Sequence, residues 1–139
     1  MGIRGETMKH FLSHWLPPLA WMGLIFLLSA QPDLPEVPGP WLDTLLKKTG
    51  HALGYSILAW LYLRPLRERF HHATVPRVLG FGLAVLYALS DEYHQTFVPG
   101  RKGTLWDVAV DGVGACGAML LDWRLQRRQV PPRQTSDVR

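Results

Sequence analysis

Leu19-Ala-Trp-Met-Gly-Leu-Ile-Phe-Leu-Leu28 is a run of ten residues without a charge, and its reading governs the rest of the chain. Followed outward, the apolar stretch extends from about Phe11 to Ala30, close to the roughly 20 residues that cross a bilayer as a helix. Pro17 and Pro18 fall near its start, where a missing backbone donor does least harm. A cleaved leader is the competing reading. Leu28-Ser29-Ala30 puts a bulky leucine where a cleavage site wants a small residue, so an uncleaved helix is expected.

Three more stretches of similar length follow, at about Leu45–Leu63, Val78–Phe97 and Thr104–Trp123. The mean hydropathy of +0.02 averages over this blocky pattern and hides it. In a soluble helix the charges would lie along one face, whereas here they collect at the ends of apolar runs. Gln31–Pro40 reads as a proline-rich connector and Arg124–Arg139 as a disordered basic tail. The expected fold is all-α: an integral membrane bundle of four transmembrane helices in one domain over 1–123, followed by a cytoplasmic tail over 124–139.

Charge placement orients this bundle. Arg4 and Lys9 precede the first span, Arg64, Arg67, Arg69 and Arg77 join the second to the third, and Arg124, Arg127, Arg128, Arg133 and Arg139 follow the fourth, so 11 of 15 basic residues share one side. The positive-inside rule makes that side cytoplasmic, with both termini in, and predicts a multi-pass membrane protein. Trp15, Trp60 and Trp123 near one set of span ends, and Trp41 and Trp106 near the other, fit interfacial belts. The net charge of +4 is thereby assigned to topology, and no nucleic-acid partner is expected. The single cysteine, Cys116, excludes an intrachain disulfide and reads as a small packing residue.

Several polar residues fall inside the spans. Lys48, His51 and Tyr55 are spaced i, i+3, i+7 and share an arc of roughly 60° on a helix. Asp91, Glu92, His94 and Gln95 lie late in the third span, and Asp107 and Asp111 early in the fourth. Given the alternating span directions, all three sets fall in the outer half of the bilayer, beside the connector Val98-Pro99-Gly100-Arg101-Lys102. An ionised side chain at mid-membrane costs about 2.5–3.5 kcal/mol on insertion scales. The acids should therefore face inward, and one shared polar pocket is the economical reading. Interhelical glue is the bland reading, at about 0.6 kcal/mol per contact, and glue does not require so many titratable groups. Gly114 and Ala118 form a small-xxx-small pair, read as packing inside the bundle before a dimer face. The oligomeric state stays open.

The stretch Ala88-Leu-Ser-Asp-Glu-Tyr-His-Gln-Thr-Phe-Val-Pro-Gly-Arg101, followed by Asp107 and then Asp111-Gly-Val-Gly-Ala115, resembles the signature of the VanZ-like family. Lys48-Thr-Gly-His51-Ala-Leu-Gly-Tyr55 and Ser29-Ala-Gln-Pro32 resemble two further elements of that family, so the likeness runs from about Leu28 to Leu120. The resemblance implies a small multi-pass protein of the cell envelope, in the bacterial cytoplasmic membrane; the family's namesake is associated with resistance to the glycopeptide antibiotic teicoplanin. It implies no particular reaction. Motif matches fall on Lys48, His51, Tyr55, Asp91, Glu92, Gln95, Arg101 and Asp107. Gly54 stands where some relatives carry an acid, and Asp111 where others often have Asn.

Three functions follow as expectations. The first, which these residues favour, is binding of a lipid-linked cell-wall precursor or another amphiphilic ligand at the outer leaflet. Lys48, Arg101 and Lys102 would receive phosphate or carboxylate, and Asp91, Glu92 and Gln95 hydroxyls or amines, with His51, Tyr55, Asp107 and Asp111 completing the ligand set. The second is a membrane-embedded hydrolase or transferase, with His51 or Glu92 as general base, Asp91 as acid and Arg101 stabilising an anion. A metal on His51, His94 and carboxylates is a version of it, but no compact motif such as His-Glu-x-x-His is present, so no metal and no cofactor is expected. The third is a structural partner of another envelope protein.

Overall fold

In the computed structural model, which describes residues 3–32 and 39–129, the chain forms four helices in sequence. They are α1 (Ile3–Ser29), α2 (Pro40–Arg69), α3 (Thr74–Gln95) and α4 (Leu105–Gln129). The expected all-α, four-helix architecture is what is found. α2 packs most extensively on α4, both pack on α3, and α1 lies against α2 with a light contact to α3.

Sequence explains this packing helix by helix. On α2 the stripe that starts with Lys48, His51 and Tyr55 continues as Leu58, Tyr62 and Leu66, and from Tyr55 on it is buried. α3 buries Gly80, Ala84, Ala88, Asp91, Glu92 and Gln95, and α4 buries Val108, Asp111, Ala115, Ala118, Met119 and Asp122. These spacings of three and four are one helical face. On α3 and α4 the middle of the face is built of small residues, and the ionisable groups lie toward its ends.

The small residues set the helix separation. A methyl group on Gly114 of α4 would overlap the carbonyl oxygen of Ala52 on α2, and one on Gly80 would press on the carbonyl of Ala59 at 3.4 Å. The expected role of Gly114 and Ala118 in packing within the bundle is thus met. α1 is tied on by side chains: Trp21 Nε1 donates to the Gly54 carbonyl at 2.9 Å and Tyr87 Oη to the Met22 carbonyl at 2.7 Å.

The outward faces are apolar. Leu27, Leu53, Leu86, Val113 and Leu120 are among the large hydrophobic residues left exposed on all four helices, while Asp91, Glu92, Asp111 and Asp122 are buried. By length and composition, among the described residues, only α1 over Phe11–Ser29 is apolar enough to cross a membrane. The other three helices do not meet that measure: His51, Tyr55, Tyr62 and Arg64 lower the hydropathy of α2, and Arg77, Asp91 and Glu92, or Asp107, Asp111 and Asp122, break the apolar runs of α3 and α4.

Two boundaries differ from expectation. α1 starts at Ile3, so Pro17 and Pro18 sit inside the helix and not at its start. The apolar Phe11, Leu12, Trp15 and Leu16 carry the helix back through them, and membrane helices tolerate interior prolines better than soluble ones. α4 runs on to Gln129, so residues 124–129 are helical and not disordered tail. Arg127 stacks on Trp123 with its guanidinium carbon 4.1 Å from the ring centroid, and basic residues suit the last turn of a helix. Residues 130–139 lie outside the described part.

Candidate functional site

The connector between α3 and α4 is the frame of the site. Arg101 N–H donates to the Val98 carbonyl at 3.1 Å, and Gly100 has φ of +79°. Pro99-Gly100 therefore forms the centre of a tight turn in which the second central residue needs the left-handed conformation that glycine adopts freely. Thr104 then starts α4. Its Oγ1 accepts from Asp107 N–H at 3.2 Å, an N-cap bond, and donates to Asp107 Oδ2 at 2.7 Å. Asp107 thus sits in the first turn, where the helix dipole favours an anion.

The three polar sets predicted from spacing meet at this end of the bundle. Lys48 Nζ forms an ion pair with Asp107 Oδ1 across α2 and α4. Thr104 N–H donates to Glu92 Oε2 at 2.9 Å, which couples α3 to the start of α4. Gln95 Nε2 reaches Asp91 Oδ2 at 3.2 Å and Glu92 Oε1 at 3.4 Å. His51 Nδ1 approaches Asp111 Oδ1 only to 3.7 Å, beyond hydrogen-bond reach.

Arg101 places three of its five N–H donors, none of them on an acid. Its Nε donates to the Gln31 carbonyl at 3.0 Å, one Nη to the Leu28 carbonyl at 3.2 Å and the other to Gln95 Oε1 at 3.4 Å. These carbonyls belong to the last turn of α1 and the residues just after it. That gives Ser29-Ala-Gln-Pro32 a physical role, since the segment docks on the connector through Arg101.

Two adjoining cavities occupy this end. One of about 400 Å³ is walled by Lys47, Lys48, His51, Glu92, Gln95, Arg101, Lys102 and Asp107, among others. The second, about 260 Å³, is bordered by Ile25, Leu28, Leu46, Gly50, Tyr55 and Asp91 and shares Lys47, His51 and Arg101 with the first. Asp111 borders neither and lies one helical turn beyond Asp107. Tyr55 is buried with its hydroxyl unpartnered, as are Ser29 Oγ and Asp91 Oδ1.

Sequence reasoning missed Lys47, Thr104 and Ser29 as contributors here. A capping signal, Thr104 three residues ahead of Asp107, was available for one of them. It also passed over Asp122 at the opposite end, where the buried carboxylate pairs with Arg67 and, at 2.8 Å, with Arg77 Nε. His94 stands apart from the acids' contacts, its ring packed on Phe26 at a centroid distance of 4.5 Å.

The VanZ/LLP1 family model matches residues 14–125. The chain belongs to the VanZ/LLP1 family. The match takes in all three polar sets, the connector and Asp122. With the apolar span of α1, family membership supports association with a membrane and a general role in the cell envelope. No curated protein and no solved structure gives a significant match.

Proposed function

We propose that this VanZ/LLP1-family protein crosses the cytoplasmic membrane four times, with both termini inside, and binds an amphiphilic ligand at the outer leaflet. The favoured class is a lipid-linked cell-wall precursor or an antibiotic of similar amphiphilic character. The carrying observation is the pair of adjoining cavities that share Lys47, His51 and Arg101. One has charged walls, while the other adds Ile25, Leu28, Leu46 and Tyr55 to Ser29, Gly50, Asp91 and the three shared residues, and most of the surface it offers is apolar. A ligand with a polar head and an apolar chain matches that division, since each half finds its own surroundings.

The roles follow from the contacts. Lys47, Lys48 and Lys102 bring positive charge to the rim, where a phosphate or carboxylate is held by charge-assisted hydrogen bonds. Arg101 places three of its five N–H donors on Leu28, Gln31 and Gln95, so it holds the walls together and adds its charge to the cavity. Asp91, Glu92 and Gln95 receive hydroxyls or amines of the head group. Four spans are favoured over one because α2, α3 and α4 all leave large apolar residues exposed while Asp91, Glu92, Asp111 and Asp122 of α3 and α4 are buried. In lipid that arrangement keeps these four acids away from hydrocarbon.

Photo-crosslinking with a polyprenyl-phosphate probe in membranes tests the ligand. Labelling should drop at least several-fold in Arg101→Ala at equal abundance, and equal labelling would count against the proposal. In a Cys116→Ala background, a membrane-impermeant maleimide should label Lys102→Cys on intact cells and leave Arg127→Cys unlabelled until lysis. The reverse pattern would overturn the topology.

A further inference from the structure

Three carboxylates of the site, on Asp91, Glu92 and Asp111, are 3%, 5% and 1% exposed. Among the described residues, none forms an ion pair with a lysine or arginine. Lys48 is engaged by Asp107, Lys47 by Asp43, and Arg101 by neutral acceptors. Only the imidazole of His51 stands near Asp111. A buried anion without a partner is strongly unfavourable, and a cluster of them demands a counter-charge.

The geometry says where that charge belongs. One ligand atom each from His51, Glu92 and Asp111 lies within 4.8 Å of the other two. Asp111 Oδ1 and Oδ2 and His51 Nδ1 have no hydrogen-bond partner. The 3.7 Å between His51 Nδ1 and Asp111 Oδ1 is too long for a hydrogen bond. It is close to the ~3.4 Å between two donors that sit about 2.1 Å from one tetrahedral ion. The third ligand is held in place from behind, since Glu92 Oε2 accepts from the Thr104 backbone at 2.9 Å and Oε1 has only a long contact, 3.4 Å, from Gln95 Nε2.

We infer that His51, Glu92 and Asp111 form a binding site for a divalent transition-metal cation of the Zn²⁺ or Mn²⁺ type. One imidazole nitrogen and two carboxylates favour these over Ca²⁺ and Mg²⁺, which take oxygen donors almost alone. Three protein ligands leave a coordination position open. His51 and Glu92 line the larger cavity, so that position faces it and takes an anionic oxygen of whatever the cavity holds. The sequence reading expected no metal because the three residues are 41 and 19 positions apart along the chain and form no contiguous motif. Of the His51–His94–carboxylate version, only His51 and the acids meet. The cation site requires neither the amphiphile nor four spans.

The test uses the full chain, purified in detergent with a tag that binds no metal, stripped with EDTA and dialysed against buffered Zn²⁺ or Mn²⁺. Elemental analysis should find about one equivalent per chain. Asp111→Asn and His51→Ala should each weaken binding more than ~100-fold, the upper range for losing a group that only supports a ligand. Asp43→Asn, an acid outside the trio, should keep the metal. Wild-type protein alone gives a second reading: Zn²⁺ should raise its melting temperature and EDTA should reverse the rise. Absence of stoichiometric metal after loading, an unchanged melting temperature, or equal metal in wild type and Asp111→Asn each overturns the site. A failed lipid crosslink with metal retained would leave the site standing and remove the ligand proposal instead.

Discussion

The two ends of the bundle handle buried charge in opposite ways. Near the α2–α3 connection, the buried carboxylate of Asp122 is gripped by two guanidiniums, Arg67 from α2 and Arg77 from α3, and Arg77 also reaches Gln126. Near the α3–α4 connection, four acids stand with one lysine partner between them, and both oxygens of Asp111 make no hydrogen bond. The first arrangement is complete in itself and joins three helices. The second is incomplete, and incompleteness inside a packed bundle is how a polypeptide leaves room for something else. A family of polar residues at a helix end is therefore informative only once its partners are known.

This contrast can be broken by substitution. The largest effect is expected from Asp122→Ala, which leaves Arg67 and Arg77 facing a carboxylate-free, largely buried position. Removing one partner of a fully buried ion pair costs about 3–5 kcal/mol; with Arg67 41% exposed and Arg77 still on Gln126, the loss here should lie below that, at about 2–3 kcal/mol. Thermal unfolding in detergent and abundance in membranes should both fall, and an unchanged melting temperature would show that this end is not a structural clasp. Next comes Gly114→Ala, which drives a methyl into the Ala52 carbonyl and parts α2 from α4. Overpacking of this kind costs about 1–3 kcal/mol, so the melting temperature should drop while the clasp at Asp122 stays intact.

Asp111→Asn sharpens the comparison because its sign is opposite to that of Asp122→Ala. Replacing an unpaired buried charge by a neutral amide of the same shape should leave metal-free protein as stable as wild type or more so, by up to about 1 kcal/mol, since an uncompensated charge is what makes burial costly. A large destabilisation in the absence of metal would mean that Asp111 belongs to the fold and not to a site. The smallest effect is expected from Trp21→Phe. It deletes one hydrogen bond to the Gly54 carbonyl and should cost about 0.6 kcal/mol, the average for such contacts between membrane helices. A much larger loss would make α1 a main support of the site.

Much of the site was legible before any coordinates. The spacing of Lys48, His51 and Tyr55 on one face, and the depth shared by Asp91, Glu92, Gln95, Asp107 and Asp111 on neighbouring helices, pointed to one end of a bundle, and these residues do gather there. Helix periodicity is a local property, so it can be read from order alone. Asp122 escaped because its partners lie 55 and 45 positions away, and basic residues near span ends already had an explanation in topology. The contacts of Arg101, expected to receive a phosphate or carboxylate, are hidden for a similar reason. Nothing in its neighbourhood says that the carbonyls of Leu28 and Gln31, about 70 positions earlier, would take up its donors.

The order of residues alone determined the number of helices, their approximate bounds, their family and the end at which the ionisable groups collect. All of these rest on hydrophobic runs, on three- and four-residue spacing and on motif matches. Which acid finds a cation and which does not was decided by the tertiary structure. Partnership depends on ångström-scale distances between side chains on different helices, and those follow from how closely Gly114 and Ala52 let α2 and α4 approach. Asp107 and Asp111 look alike on paper, one turn apart on one helix; Lys48 reaches the first, and the second faces only His51.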